Sequence, residues 1–257
     1  MSALLALLAQ DGKVDVDQAV ADLGVSAATI RRDLVYLDQQ RLATRTRGGA
    51  VANSAAYDLP LRFKTGEAAE EKRRIAQAAA SMAPQGGVVA LNGGSTTLEV
   101  ARALAARPDL ARTASSTGVA LTVVTNAVNL AVELLPRPYL KVVVTGGVVR
   151  AHSYELVGPL AERSIESLSV DTLFLGVNGF DPVFGASAHS DAEVSTNSLL
   201  VEAAARVVVV ADSTKLGRRA FAQICPPQAV AALVTDNALA PEMKGRLEAL
   251  GLEVVTV

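Results

Sequence analysis

Two sets of side chains have the types and spacing to hold a polyanion. The first lies between residues 26 and 48. On a helix drawn from Ser26 to about Gln40, Ala28, Thr29, Arg32 and Tyr36 share one side, and Arg31 lies on its flank. Ala28 and Thr29 are short enough for close approach. Arg32 offers a guanidinium fork that matches a guanine edge, and Tyr36 has a hydroxyl that reaches phosphate. Arg31 is better placed for backbone phosphate. Arg45 and Arg47 follow beside Gly48 and Gly49, where a thin wing reaches a neighbouring groove or phosphates. The second set is spread over residues 92–215. It comprises Asn92-Gly93-Gly94-Ser95-Thr96-Thr97, Thr125-Asn126, Thr145-Gly146-Gly147, Gly176-Val177-Asn178-Gly179 and Asp212-Ser213-Thr214-Lys215. Backbone N–H groups at a helix start, with hydroxyls beside them, make an anion cradle. The Lys215 ammonium pairs with a phosphate as a point charge.

The first set needs a helix, a sharp turn and a second helix. Ser2–Ala9 is a run of helix formers broken at Asp11-Gly12. Asp15-Val16-Asp17 supplies caps for a helix over Asp17–Leu23, which stops at Gly24, a residue that tolerates positive φ. Ser26 caps the next helix. Its Ile30, Leu34 and Leu37 point into a small core, and Val25 is expected to plug the space between the helices. Leu42–Val51 alternates small or apolar residues with Arg and reads as a β-ribbon turning at Gly48-Gly49. In a helix-turn-helix the first helix braces the second, which enters the DNA major groove. An ordinary helical hairpin also shows an Arg-Arg pair. The conjunction of Gly24, the Ser26 cap, the apolar stripe and the wing separates the two readings.

The second set needs a sheet. Residues 52–65, with Asn53-Ser54, Asp58 and Pro60, read as a linker, and Glu67–Met82 as a helix. Candidate strands follow at Val88–Leu91, Leu121–Thr125, Leu140–Thr145, Thr172–Val177, Val207–Ala211, Val230–Thr235 and Glu253–Val257. Candidate helices are Thr96–Ala106, Val128–Leu135, Pro159–Leu168, Ala192–Ala205 and Pro241–Leu250. This alternation predicts an α/β domain with a mainly parallel sheet, whose ligands bind at the carboxyl ends of the strands. Any one of the glycine loops alone reads first as a tight turn, and Lys215 is equally a surface lysine. Several such loops at one sheet edge point to a site. The stretch 178–190 reads as a functional loop or small insertion. The expected organisation is a reader at 1–56, a linker at 57–70 and an α/β domain at 71–257.

Composition narrows the classes further. Of 257 residues, 50% are hydrophobic and 19% charged, which excludes wholesale disorder. The net charge is −2, yet residues 1–65 carry eight basic and seven acidic side chains, and five arginines (Arg31, Arg32, Arg41, Arg45, Arg47) fall within 26–50. A local basic cluster on a weakly acidic chain fits a local polyanion contact. Cys225 alone excludes an intramolecular disulfide and multi-cysteine metal sites, and is expected to be an ordinary small apolar residue. No uninterrupted apolar run is long enough to span a membrane. The apolar start lacks a basic flank, so no signal peptide is expected and the cytoplasm is the default. His152 and His189 lack metal-ligand spacing, so no metal or cofactor is expected, while His189 stands near the expected ligand mouth. Glu193 reads either as a former acid/base group or as a partner for a helix dipole.

Val25-Ser-Ala-Ala-Thr-Ile-Arg-Arg-Asp-Leu34, followed by Leu37 and Arg45-Thr-Arg-Gly-Gly-Ala-Val51, resembles the DeoR family of bacterial transcriptional regulators. The likeness continues through Glu71–Ala76, Asn92–Thr97, Val124–Asn126, Thr145–Gly147, Leu156–Gly158, Asp171, Gly176–Gly179 and Asp212–Lys215, and so covers about 3–235. It implies a winged helix-turn-helix coupled to a sensor similar in fold to ribose-5-phosphate isomerase and glucosamine-6-phosphate deaminase. It also implies that Gly93–Thr97, Gly146, Gly147 and Lys215 surround a phosphorylated sugar. Three features depart from the family pattern. Val20 replaces a small residue, the first helix lacks basic residues before it, and Asn92 stands where the family has an acid. The function so implied is a repressor of a carbohydrate-catabolism operon, not an enzyme. It would bind double-stranded operator DNA as a homodimer or homotetramer under control of a phosphorylated sugar. The alternative is a sugar-phosphate isomerase with an accessory N-terminal domain. That chemistry needs a base beside the substrate C–H, to be drawn from His152, His189, Asp191 or Glu193.

Overall fold

The computed structural model describes residues 2–39, 42–52, 61, 66 and 68–257. Arg41 and most of the expected linker, including Asn53, Ser54, Asp58 and Pro60, lie outside the described residues. The chain divides into two compact units, Met1–Glu67 and Ala68–Val257.

The first unit runs α1 (Ser2–Asp11), β1 (Lys13–Asp15), α2 (Val16–Leu23), α3 (Ala27–Gln39), β2 (Ala43–Thr46) and β3 (Gly49–Ala52). Asp15 caps α2 by accepting from the N–H groups of Asp17 at 2.9 Å and Gln18 at 3.3 Å. Gly24, at φ 64°, ends the helix by donating its N–H to Val20 O. Ser26 Oγ then accepts the Thr29 N–H at 3.2 Å and starts α3. Ile30, Leu34 and Leu37 recur at helical spacing and are buried against Leu4, Leu5 and Leu8 of α1. Contrary to the expectation from sequence, Val25 does not plug the space between the helices. It is 37% exposed, because the left-handed turn at Gly24 directs it outward. Val20, Leu23 and Ala27 pack against the core in its place, so the larger Val20 is accommodated.

The ribbon is a three-stranded antiparallel sheet in the order β1-β3-β2. Its hairpin turn is Arg47-Gly48 rather than Gly48-Gly49, since Gly49 already pairs with Thr46. Gly49 has a different duty: a Cβ there would lie 1.9 Å from the Val14 carbonyl oxygen. The short β1, with only Val14 buried, is too brief for sequence alternation to reveal.

In the second unit, α4 (Ala69–Ser81) leads into β4 (Val88–Leu91), α5 (Ser95–Ala105), α6 (Pro108–Thr117), β5 (Leu121–Thr125), α7 (Val128–Leu134) and β6 (Leu140–Val144). A hairpin of β7 (Val148–Val149) and β8 (Leu156–Val157) follows, then α8 (Pro159–Glu166), β9 (Val170–Gly176), β10 (Gly179–Asp181), β11 (Gly185–Ala188) and α9 (Asp191–Glu202). The chain closes with β12 (Ala204–Val210), β13 (Ala222–Cys225), β14 (Ala232–Thr235), α10 (Pro241–Glu248) and β15 (Glu253–Thr256). The main sheet has the order β15-β14-β12-β9-β4-β5-β6, and every pairing in it is parallel. All seven strands expected from sequence are present in it.

Side chains alternate across this sheet. Val89, Leu91, Phe174, Val208 and Val210 pack against α4, α5 and α7. Ala90, Leu173, Leu175, Val207 and Val209 pack on the other face with Ile165, Leu200 and Leu247. Asp171 lies within β9, not before it, and its carboxylate accepts the Val88 N–H at 2.7 Å. The stretch 178–190 is mostly strand: β10, β11 and β13 form a second, antiparallel sheet. Cys225 is buried there, and burial pushes its thiol up to about 11, which suits the expected inert role. No helix among the described residues is long and apolar enough to cross a membrane.

Because the Gly49 contact is with backbone, it cannot be relieved by a rotamer change. Gly49→Ala is expected to weaken the first unit by at least about 1–3 kcal/mol. Urea unfolding of the full chain should show an earlier transition of the first unit, with the transition of the second unit unmoved. An unshifted N-terminal midpoint would show that β1 and β3 do not approach as described.

Candidate functional site

The outward side of α3 carries Ala28, Arg31, Arg32 and Tyr36, all exposed, with Thr29 half-buried. Ser26 and Thr29 hydroxyls lie 2.9 Å apart, so these two side chains hold each other at the helix start. Arg45, Arg47 and Gly48 are exposed on the wing. The Arg45 N–H donates to Asp38 Oδ1 at 3.3 Å, which ties the wing to the end of α3. The predicted reading residues thus share one small module. Its exposed cations meet the requirement for phosphate contacts, and its helix presents short residues beside an arginine fork.

In the second unit, the glycine-hydroxyl segments follow β4, β5, β6 and β9, all at the carboxyl edge of the parallel sheet. The chain builds outward from β4 through β5 to β6, then returns to the other side of β4 at β9. The crevice at this reversal is where open α/β sheets bind ligands. Asn92 closes its base. The Asn92 amide donates to Gly176 O at 3.0 Å, and its Oδ1 accepts the Gly176 N–H at 2.7 Å. Asn92 therefore joins the ends of β4 and β9. An acid could not make both bonds when ionised, because a carboxylate only accepts.

Gly94, at φ 153°, opens α5, and Thr97 Oγ1 donates to its carbonyl at 3.1 Å. Thr96 and Thr97 are buried, and Ser95 is half-buried at the first turn. The intrahelically unbonded N–H groups of that turn carry the helix's positive end. Thr125 Oγ1 donates to Leu91 O at 2.8 Å and accepts the Ala127 N–H at 3.1 Å, so its hydroxyl braces the β4–β5 edge. Asn178 Oδ1 accepts the His189 N–H at 3.2 Å. Gly179 is buried with Arg218 O 2.5 Å from where a Cβ would stand. Gly146 and Gly147 have φ of 76° and 118°. Lys215 ends a one-turn 3-10 helix, Ser213–Lys215, held by Asp212 and Asp236.

These groups are not all at one point. Adjacent strands are about 4.8 Å apart, so the ends of β6 and β12, four positions apart, are separated by roughly 19 Å. One phosphate cannot rest on Gly146-Gly147 and Lys215 through the strand ends alone. The β7–β8 hairpin bridges part of that distance by folding back over β5: Leu156 N–H donates to Asn126 O at 2.6 Å and Val128 N–H to Tyr154 O at 3.0 Å.

That fold-back delivers Glu155, which sequence reading passed over. Its side chain is buried against Gly93, where a Cβ would lie 2.3 Å from Glu155 Cγ. Asn197 Nδ2 donates to Glu155 Oε2 at 3.4 Å, Asn92 Nδ2 stands 3.5 Å from Oε1, and Asn126 Nδ2 donates to Asn197 Oδ1 at 3.3 Å. Arg150 and Asn197 were also missed. Arg150 Nε pairs with Glu193 Oε1 at 2.8 Å, and Glu193 is buried in the first turn of α9, its N–H capped by Ser190. The one signal in the sequence was a lone acid beside the apolar pair Leu156-Val157. Burial pushes the Glu155 carboxyl well above its usual range, and the Glu193 charge pushes it further; the Gly93 N–H and the Asn197 and Asn126 amides oppose both. His152 and His189 are half-buried, and no group of three metal-ligating side chains occurs among the described residues.

Residues 1–56 match the model of the DeoR-like helix-turn-helix domain, and residues 67–237 that of the DeoR C terminal sensor domain. The HTH-type transcriptional regulator GlpR of Haloferax volcanii is 37% identical over 246 residues, covering 95% of this chain and 91% of that protein. The glycerol-3-phosphate regulon repressor of Escherichia coli K12 is 30% identical over 233 residues, covering 91% and 88%. Ribose 5-phosphate isomerase A of Methanocaldococcus jannaschii superposes with a TM-score of 0.41 at 15% identity, over 58% of this chain and 55% of that one. This chain thus spans little more than half of the isomerase.

The Glu155 proton has a measurable consequence. The native state keeps it to higher pH than the unfolded chain, whose carboxyl titrates near its ordinary 4.5. Stability linked to the proton is therefore complete below that pH and is lost as pH rises through the folded value. Glu155→Gln removes the titration. The melting-temperature difference, variant minus wild type, is expected to become more positive between about pH 5 and pH 8. A difference that stays flat across that range would mean that Glu155 titrates like a solvated carboxyl.

Proposed function

The chain belongs to the DeoR family of DNA-binding transcriptional regulators, and from that footing we propose that it represses a carbohydrate-catabolism operon under control of a phosphorylated sugar. The observation that carries this reading is the presence, in one chain, of an exposed arginine-bearing α3 and wing and of a helix start opening at a sheet reversal. Arg32 reads a base edge, with Ala28 and Thr29 permitting approach. Ser26, Arg31, Tyr36, Arg45, Arg47 and Gly48 place the module on the phosphates. At the sensor, Gly93, Gly94, Ser95, Thr96 and Thr97 form the centre of the phosphate site. Thr125, Asn126, Asn178 and Gly179 border it, and Gly146, Gly147 and Lys215 approach from either side. Asn92 acts there by holding the crevice closed at its base.

The names of the relatives support the class of effector: one is the repressor of a glycerol-3-phosphate regulon. They are regulators, and the isomerase alternative gains nothing from them. Among its candidate bases, Glu193 is already committed to Arg150. Two reading helices at the roughly 34 Å half-site spacing of DNA require at least a dimer. Exposed Val144 at the end of the edge strand β6, with exposed Val148, Val149 and Leu160 after it, offers apolar surface for assembly as a homodimer or homotetramer. The effector acts by binding one state of the assembly better than the other, since differential affinity alone shifts such an equilibrium.

Three variants separate the roles in gel shifts against operator and random DNA. Arg32→Ala is expected to cost about 1–3 kcal/mol on the operator and to relax preference at one base position. Arg47→Ala should weaken all sequences alike and lower the salt slope by about one. Lys215→Ala should leave effector-free operator affinity unchanged while blunting the response to sugar phosphate. Equal losses of sequence preference from Arg32→Ala and Lys215→Ala would remove the base-reading role.

A further inference from the structure

Around the Gly93 loop, buried polar atoms exceed the good hydrogen bonds available to them. Asn126 Oδ1 is buried without a partner. The amide contacts among Asn126, Asn197, Glu155 and Asn92 are long, between 3.3 and 3.5 Å. A buried polar atom left unpaired costs about 1–3 kcal/mol. Such a cost persists where a ligand relieves it. The donors and acceptors here alternate, amide N–H beside carbonyl and carboxyl oxygen, and a sugar hydroxyl is the group that both donates and accepts. Tyr154, next to Glu155, has φ 61°, one of two non-glycine left-handed residues among those described. Strain of this kind gathers at ligand sites. Glu155 in this cluster packs against Gly93, two residues before the first residue of α5.

We propose that Glu155, with Asn126 and Asn197, forms the hydroxyl-reading subsite of the effector site, so that this chain selects polyhydroxylated phosphate monoesters over phosphates lacking hydroxyls. The inference rests on the sugar-phosphate reading above and deepens it. Anion capture belongs to the glycine loop and the α5 N-terminus. Selectivity belongs to the hairpin that carries Glu155 and to the α9 side chain that orients it. The Arg150–Glu193 ion pair stands beside the cluster.

The test uses the full-length chain and four probes: methyl phosphate, glycerol 3-phosphate, ribose 5-phosphate and glucose 6-phosphate, each titrated calorimetrically. Wild type is expected to bind at least one hydroxylated ester about tenfold or more tightly than methyl phosphate, the size of one hydrogen bond made in a buried site. Glu155→Gln should erase most of that ratio by weakening the hydroxylated esters more than methyl phosphate. A purely structural role would instead weaken all four probes in step, and that result overturns the proposal. So does a variant that keeps the wild-type ratio, which leaves the sugar-phosphate reading standing. If wild type shows no preference over methyl phosphate for any ester, both readings fall together. Should Glu155→Gln fail to fold, Asn197→Ala decides: a reduced ratio supports the subsite, and an unchanged one overturns it.

Discussion

The parallel pairing of β4 with β9 is the constraint on which the sensor unit depends. These neighbours are where the chain reverses its direction across the sheet, so the segments that follow them diverge. Divergence opens a crevice, and it also leaves backbone groups at the strand ends without the next rung of the ladder. Asn92 meets that need at Gly176 with one donor and one acceptor. Only a neutral amide does both without a proton being supplied. The residue that looks like a lost effector carboxylate is thus accounted for by the geometry of the sheet edge. An acidic group reaches the Gly93 loop instead from the β7–β8 hairpin, as Glu155.

Glycine at position 93 is what admits that carboxyl. With any side chain there, Glu155 and the first turn of α5 could not both hold their places. The same economy recurs in the first unit, where Gly49 lets β3 lie against Val14, and Gly24 turns the chain between two helices. At Gly93 and Gly49 the absent side chain permits a close approach, while at Gly24 it permits the left-handed turn, and Asp15 and Ser26 cap the helices on either side of that turn. The exposed face of α3 follows from its buried one. Ile30, Leu34 and Leu37 consume one side of the helix, and the arginines and Tyr36 are left facing water.

Much of this was legible from residue order. The seven parallel strands and the helix-turn-helix were marked by apolar runs, caps and glycines whose effects are local. What escaped had weak local signals. Helix α6, beginning at Pro108, has a mostly polar sequence and one fully buried leucine, Leu110, and its position is held by Arg107 bonding the carbonyls of Ala80 and Ala83. The strands β10 and β11 are short and buried at every position but Asp181, so they lack alternation. Val25 was misplaced because spacing alone does not tell which way a left-handed turn throws the next side chain.

Local chemistry, then, determined the elements and the exposed, arginine-bearing face of α3, since helix period, capping and strand alternation act over a few residues. Tertiary structure decided the buried polar cluster beneath the crevice. Asn92, Asn126, Glu155 and Asn197 come from four separate segments, 63 and 71 residues apart in two of their contacts. Which polar groups meet in a low-dielectric interior, and which of them are left short of partners, depends on how distant strand ends and hairpins pack, and no local pattern carries that information.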